Sequence, residues 1–212
     1  MSTFKFNNFL LIILISNLIL ILSCKEDVNE VLPGNDPNFT IISHSDQGFL
    51  STNRKVSVFG IDIYAVPEVN DNKLIHAANV LAQFLDNNED GEVDDPELKQ
   101  ELANHDALMP IFTSENSQAA NSFFNNYNGS GVSAVLYSQE VDPSNPGFWG
   151  MDASVEEIMH TINSVGHVNA YPLAFSLAAS SSLMTTAMDT ARGGQFISIP
   201  NPYPSAAWYH YD

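Results

Sequence analysis

The chain has 212 residues, 44% of them hydrophobic, with 25 acidic side chains against 7 Lys and Arg and a formal net charge of −18. That length accommodates one ordinary domain with a real core and leaves little room for two large ones. The charge repels a phosphate backbone over most of the surface, which argues against nucleic acid as a partner, and Cys24, the only cysteine, excludes an intramolecular disulfide or a thiolate metal cluster.

Phe9 to Leu22 is an apolar run broken only by Ser16 and Asn17 and preceded by Lys5, the charged and apolar regions of a secretory signal. The run is short for a membrane-spanning helix. It ends in Ile21-Leu22-Ser23-Cys24, which resembles the lipobox of bacterial lipoproteins, where the cysteine receives diacylglycerol before cleavage. The resemblance implies a signal peptide over residues 1–23, lipidation of Cys24 and attachment to the membrane through that lipid; an uncleaved anchor is the alternative. Lys25-Glu26-Asp27 resembles the export signal of some Gram-negative surface lipoproteins, so the expected location is the cell envelope, at the outer membrane or the cell surface. Residues 24–38, with Pro33, Gly34 and Pro37, read as a tether to a domain over residues 39–212.

Within that domain, Phe39 to Ile42 and Val56 to Val66 read as strands, the second with Gly60 as a bulge. Asn72 to Leu85 reads as a helix because Leu74, Ala78, Leu81 and Leu85 recur on one face, and Pro96 to Ala103 as another, with Leu98 and Leu102 four apart. Further on, the pattern predicts a strand over Leu108 to Phe112, a helix over Ser114 to Tyr127, a turn at Asn128 to Gly131 and a strand over Val132 to Tyr137. Pro143, Pro146 and Gly147 mark a loop, before helices over Ser154 to Val165 and Pro172 to Arg192, the last closed by Gly193-Gly194. Strands and helices without regular alternation point to a single α+β domain with a small sheet, rather than a doubly wound parallel sheet. No glycine-rich phosphate loop follows a strand, so nucleotide chemistry has no support.

Between the first two helices, Asp86-Asn87-Asn88-Glu89-Asp90-Gly91-Glu92-Val93-Asp94-Asp95-Pro96-Glu97 meets every fixed position of the pattern D-x-[DN]-x-[DN]-G-x5-E. Over Asn72 to Ala103 the chain resembles the EF-hand superfamily. Ca²⁺ is a hard cation that takes six to eight oxygens: side chains of Asp86, Asn88 and Asp90, the carbonyl of Glu92, Asp94 directly or through water, and both oxygens of Glu97. Gly91 occupies the sharp turn. EF-hands usually pair through the eighth loop position, here Val93, yet no second loop is found. Asn70-Asp71-Asn72 and Asp142-Pro143-Ser144-Asn145 lack the glycine and the closing glutamate. The single loop therefore points to a structural ion rather than a sensor.

Glu156-Glu157-Ile158-Met159-His160 looks like the zincin helix His-Glu-x-x-His with its first histidine replaced. The resemblance implies Glu156 and His160 as Zn²⁺ ligands, Glu157 as the base on a bound water, and a third ligand from His167, Asp189 or His210. The competing reading is a capping box, in which Ser154 caps the helix and Glu157 bonds back to it. The segment Pro200 to Tyr211, with Trp208, Tyr209 and Tyr211, reads either as packing across the sheet or as a platform for a peptide or glycan. With the calcium loop and Glu-Glu-x-x-His, it resembles a group of secreted or anchored bacterial proteins to which no reaction is assigned.

The expectation is thus a calcium-binding cell-envelope lipoprotein in which Ca²⁺ organises the domain for binding a protein, peptide or glycan at the surface. The rival expectation is a divergent Zn²⁺-dependent hydrolase built on Glu157.

Overall fold

The computed structural model describes residues 39–49, 51–144, 152–176 and 182–201. Residues 1–38, with the leader, Cys24 and the tether, lie outside the described residues. Pro146, Gly147, Trp208, Tyr209, His210 and Tyr211 also lie outside them. Among the described residues no helix is long and apolar enough to cross a membrane.

Five strands form one sheet in the order β1-β2-β3-β4-β5: β1 Ile42–Ser43, β2 Arg54–Val58, β3 Ile61–Ala65, β4 Leu108–Phe112 and β5 Leu136–Tyr137. The first three are antiparallel, with Val56 opposite Ile63 and Val58 opposite Ile61. The last three are parallel, with Ala65 beside Ile111 and Ile111 beside Leu136. The mixed sheet and its helices make an α+β domain, as the element pattern anticipates.

Val56 to Val66 is not one bulged strand but a hairpin. Phe59 and Gly60 form its two-residue turn with φ of 50° and 92°, the pair of positive values that lets a tight turn follow the twist of its strands.

Helix α1, Asp71–Leu85, leads through the acidic loop into α2, Pro96–Asn104. Helix α3 runs over Gln118–Asn126, shorter than expected, because Ser117 Oγ accepts the Ala120 N–H at 3.2 Å and sets the start. Of the expected strand over Val132 to Tyr137, only Leu136–Tyr137 pairs. Helix α4, Ser154–Thr161, widens into a π-helical turn over Ile162–His167 and returns to α5, Val168–Ala170. The expected helix from Pro172 is two pieces, α6 Pro172–Phe175 and α7 Leu183–Ala191. Gly193 and Gly194 close α7 as anticipated: both have positive φ, and the Gly194 N–H donates to the Asp189 carbonyl at 2.8 Å.

Alternation along β3 sends Ile61, Ile63 and Ala65 to one face and Asp62 and Tyr64 to the other. On the first, Ile61 and Met109 meet Leu81, Leu102 and Ile158 around a void of about 10 Å³, so α1, α2 and α4 share a core with the sheet. Aromatic rings cover the second: Phe49 stacks on Tyr64 at 4.4 Å, and Phe123 packs at 5.5 Å from Phe112 and 4.8 Å from Tyr127. On this face, behind the rings, Lys55 Nζ lies 2.7 Å from a carboxylate oxygen of both Asp46 and Asp62, and the Tyr64 hydroxyl donates to Asp46 at 2.9 Å.

Candidate metal loop

The loop begins where α1 ends. The Asp86 N–H still donates to the Ala82 carbonyl at 2.8 Å, but its own backbone has left the helical region. Its side chain is only 7% exposed, and a carboxylate buried that far requires donors or a cation. Asp86 Oδ1 accepts the Asp90 N–H at 3.1 Å, and Oδ2 accepts the Gly91 N–H at 2.8 Å. Asn88 Oδ1 accepts the Asp90 N–H at 2.9 Å, Asp90 Oδ1 the Glu92 N–H at 2.9 Å, and Asp94 Oδ2 the Asn87 N–H at 2.8 Å.

Gly91 has φ of 88°, the left-handed value that the motif requires of its sixth position. Glu89 shares that region, with φ of 61°. The Asp94 N–H donates to the Leu85 carbonyl at 2.8 Å, drawing the far limb back onto the end of α1. Val93, the eighth position, packs against the core of its own domain, and no strand partner is recorded for it among the described residues.

The chain leaves the loop through Asp95, whose Oδ1 accepts the N–H groups of Glu97 and Leu98 at 3.1 and 3.0 Å and so caps α2. The Tyr171 hydroxyl lies 2.8 Å from both Asp95 oxygens, and this bond raises the phenol to about 12. Neither the Asp95 cap nor its link to Tyr171 was anticipated from the sequence. Aspartate before proline at a helix start is a readable capping signal, but a partner seventy-six residues away leaves no local trace.

Six candidate ligands thus lie on one turn between two helices, and all offer hard oxygen donors. The side-chain oxygens of Asp86, Asn88, Asp90 and Asp94 accept backbone N–H groups of the loop itself, Asp86 two of them. Among the described residues, no three His, Cys, Asp or Glu side chains are gathered as a metal cluster. The donor chemistry and turn geometry fit a divalent cation of the calcium type, with Glu97, at the second position of α2, as the residue that would close the cage.

The Glu-Glu-x-x-His helix differs from its expected form. Ser154 does not cap α4: the N-cap is Ala153, and Asp152 Oδ1 accepts the Ser154 N–H at 3.2 Å, taking over the capping role from two residues upstream. Glu156 Oε1 and His160 Nε2 lie 3.9 Å apart on one face, both well exposed. Burial pushes the Glu157 carboxyl up, opposed by His160 and reinforced by Glu140 and Glu156. His167 lies beyond, at the end of the π turn, its ring stacked on Phe175 at 4.5 Å and its Nδ1 enclosed without a hydrogen bond. Burial pushes this imidazole down, against the raising influence of Asp95. Asp189 Oδ1 is occupied by the N–H groups of Phe196 and Ile197 at 3.0 and 2.8 Å.

No protein-family model, curated protein or solved structure matches the chain.

Proposed function

We propose that the chain binds one Ca²⁺ in the loop Asp86 to Glu97, and that the ion organises an α+β domain carried on the cell envelope by a lipid at Cys24. The observation that supports this most is the combination of a complete calcium pattern with a turn that already has the left-handed Gly91 and joins two helices. When bound, calcium supplies charge neutralisation and a bridge between the two limbs of the loop. The chain's own residues do the rest. Asp86 anchors the first limb at the buried end of α1, the Glu92 carbonyl and Asp94 line the second limb, and Glu97 joins the site to α2. At an intermediate dielectric, like charges drawn to within a few ångströms of one another repel by a few kcal/mol, so closing the cage depends on the ion, and an ion bound only by the folded loop stabilises the fold.

Melting curves in calcium and in chelator test this. The wild-type midpoint is expected to rise with calcium, and Asp86→Ala combined with Glu97→Gln is expected to abolish the rise; an unchanged rise in that variant removes the loop as its source.

The second reading, a Zn²⁺ hydrolase, is favoured by Glu157, whose half-buried carboxyl is pushed up in the manner of a general base. Glu156 and His160 supply two donors from one helix face. Metal analysis after calcium chelation separates the readings: stoichiometric zinc that disappears in His160→Ala supports the hydrolase, and zinc-free protein excludes it.

A further inference from the structure

Three positions in the first turn of α2 point in three directions. Asp95 holds the Tyr171 hydroxyl through both of its oxygens, each at 2.8 Å. Glu97 is the closing ligand of the calcium pattern. Leu98 lies against Gly166, where a Cβ would come within 2.5 Å of Leu98 Cδ1 and 3.0 Å of Leu102 Cδ2, so a larger residue would have to push the two leucine side chains aside. Asp95 also accepts the N–H groups of Glu97 and Leu98, and the three positions therefore move as one unit.

Both outward contacts land on one stretch of chain. Gly166 lies in the π turn Ile162–His167, and Tyr171 ends the short α5 that follows, its N–H donating to the His167 carbonyl at 2.8 Å. A π turn inside an α-helix holds one residue more than the regular register, and such turns are rare because the ordinary register is usually preferred. The contacts from α2 fall on this irregular turn and on the residue that ends the helix after it. Beyond Tyr171, Leu173 in α6 is 83% exposed, so a change in the segment alters what the surface presents.

We propose that ion binding in the 86–97 loop and ordering of residues 162–171 form one linked equilibrium, transmitted by the Asp95–Tyr171 bond and the Leu98–Gly166 contact. The inference rests on the calcium reading and gives it a consequence: drawing Glu97 onto the ion fixes the first turn of α2, which fixes Tyr171 and the π turn. Linkage is reciprocal, so loosening the clamp weakens the ion site by the same factor that calcium tightens the segment.

Hydrogen exchange on the full chain, read by mass spectrometry at saturating calcium and in chelator, together with calorimetric titration, tests this. Wild type is expected to show calcium-dependent slowing at residues 86–98 and at 162–171. In Tyr171→Phe, which leaves the Leu98–Gly166 contact in place, slowing at 86–98 persists, slowing at 162–171 is reduced, most at 167–171, and calcium binds about fivefold more weakly, the lower end of ordinary coupling. Asp95→Asn keeps an oxygen that caps α2 and accepts the Tyr171 hydroxyl but loses the charge and the second acceptor, and is expected to reduce the slowing at 162–171 less than Tyr171→Phe does. Slowing at 86–98 without any at 162–171 in wild type overturns the coupling and leaves the calcium reading intact; so does slowing at 162–171 that is undiminished in Tyr171→Phe. Absence of both heat and slowing at 86–98 in wild type overturns the calcium reading, and the coupling falls with it.

Discussion

His76 Nε2 lies 2.8 Å from Asp152 Oδ2, and neither side chain is exposed to solvent. The bond joins the buried face of α1 to the residue that leads into α4, and Asp152 also accepts the N–H groups of Ser154 and Asp142 at 3.2 and 3.3 Å. Breaking a buried pair by removing one partner costs far more than the pair is worth, because the other partner remains buried. Asp152→Ala is therefore expected to lower unfolding free energy by about 3 kcal/mol in urea titration.

The same pair gives the fold an acid limb. Burial alone would raise the Asp152 carboxyl, but His76 and then Ser154, through its side chain and its N–H, outweigh it and hold the group down at about 2, against an ordinary value of 3.8. A depressed carboxyl contributes stability that is fully present above its unfolded value and is lost as pH falls through its folded value. Wild type is therefore expected to lose stability between about pH 4 and pH 2, and Asp152→Asn, which does not titrate, to show a shallower slope there. Equal slopes in urea titrations across that range would remove Asp152 as the source.

Two glycines are predicted to differ in their intolerance of alanine. At Gly131 an added Cβ would strike the carbonyl oxygen of Asp106, and the backbone cannot retreat because the Gly131 carbonyl accepts the Leu108 N–H at 3.0 Å at the start of β4. At Gly166 the obstacle is the ends of two leucine side chains, and alanine recovers nearly 1 kcal/mol of helix propensity against an overpacking cost of roughly 1–3 kcal/mol. Gly166→Ala is expected to cost about 1 kcal/mol in thermal or urea unfolding, and Gly131→Ala clearly more. The reverse order would contradict the packing described for both sites.

Thr161 is 5% exposed, and its hydroxyl has no hydrogen-bond partner beside a void lined by Leu81, Leu102 and Ile158. A buried polar atom without a partner retains its full desolvation cost. Thr161→Val keeps the shape and removes the atom, so urea unfolding is expected to show a gain of about 1 kcal/mol. A loss instead would mean that the hydroxyl is satisfied, by water in the void.

Local signals in the sequence located what depends on local chemistry. The acidic loop, the proline that opens α2 and the paired glycines that close α7 all work within a few residues, and each lies where its pattern puts it. Val56 to Val66 misled because Phe59-Gly60 is not the usual asparagine-glycine turn pair, so a change of strand looked like a bulge. Ser154 misled because a capping box is read from spacing, whereas Asp152 reaches the same N–H from upstream. The His76–Asp152 and Asp95–Tyr171 bonds each span seventy-six positions; an ordinary histidine and tyrosine in helical stretches carry no mark of such partners. The π turn is equally unreadable, since nothing in the residue types from Ile162 to His167 marks a departure from the α register.

The central claim is that the 86–97 loop is a calcium site, and calorimetric titration of the purified chain with Ca²⁺ tests it most directly. The account predicts a saturable isotherm with one ion per chain that Asp86→Ala with Glu97→Gln eliminates. A wild-type chain that gives no heat, with amide spectra of residues 86–97 unchanged by the ion, would contradict it.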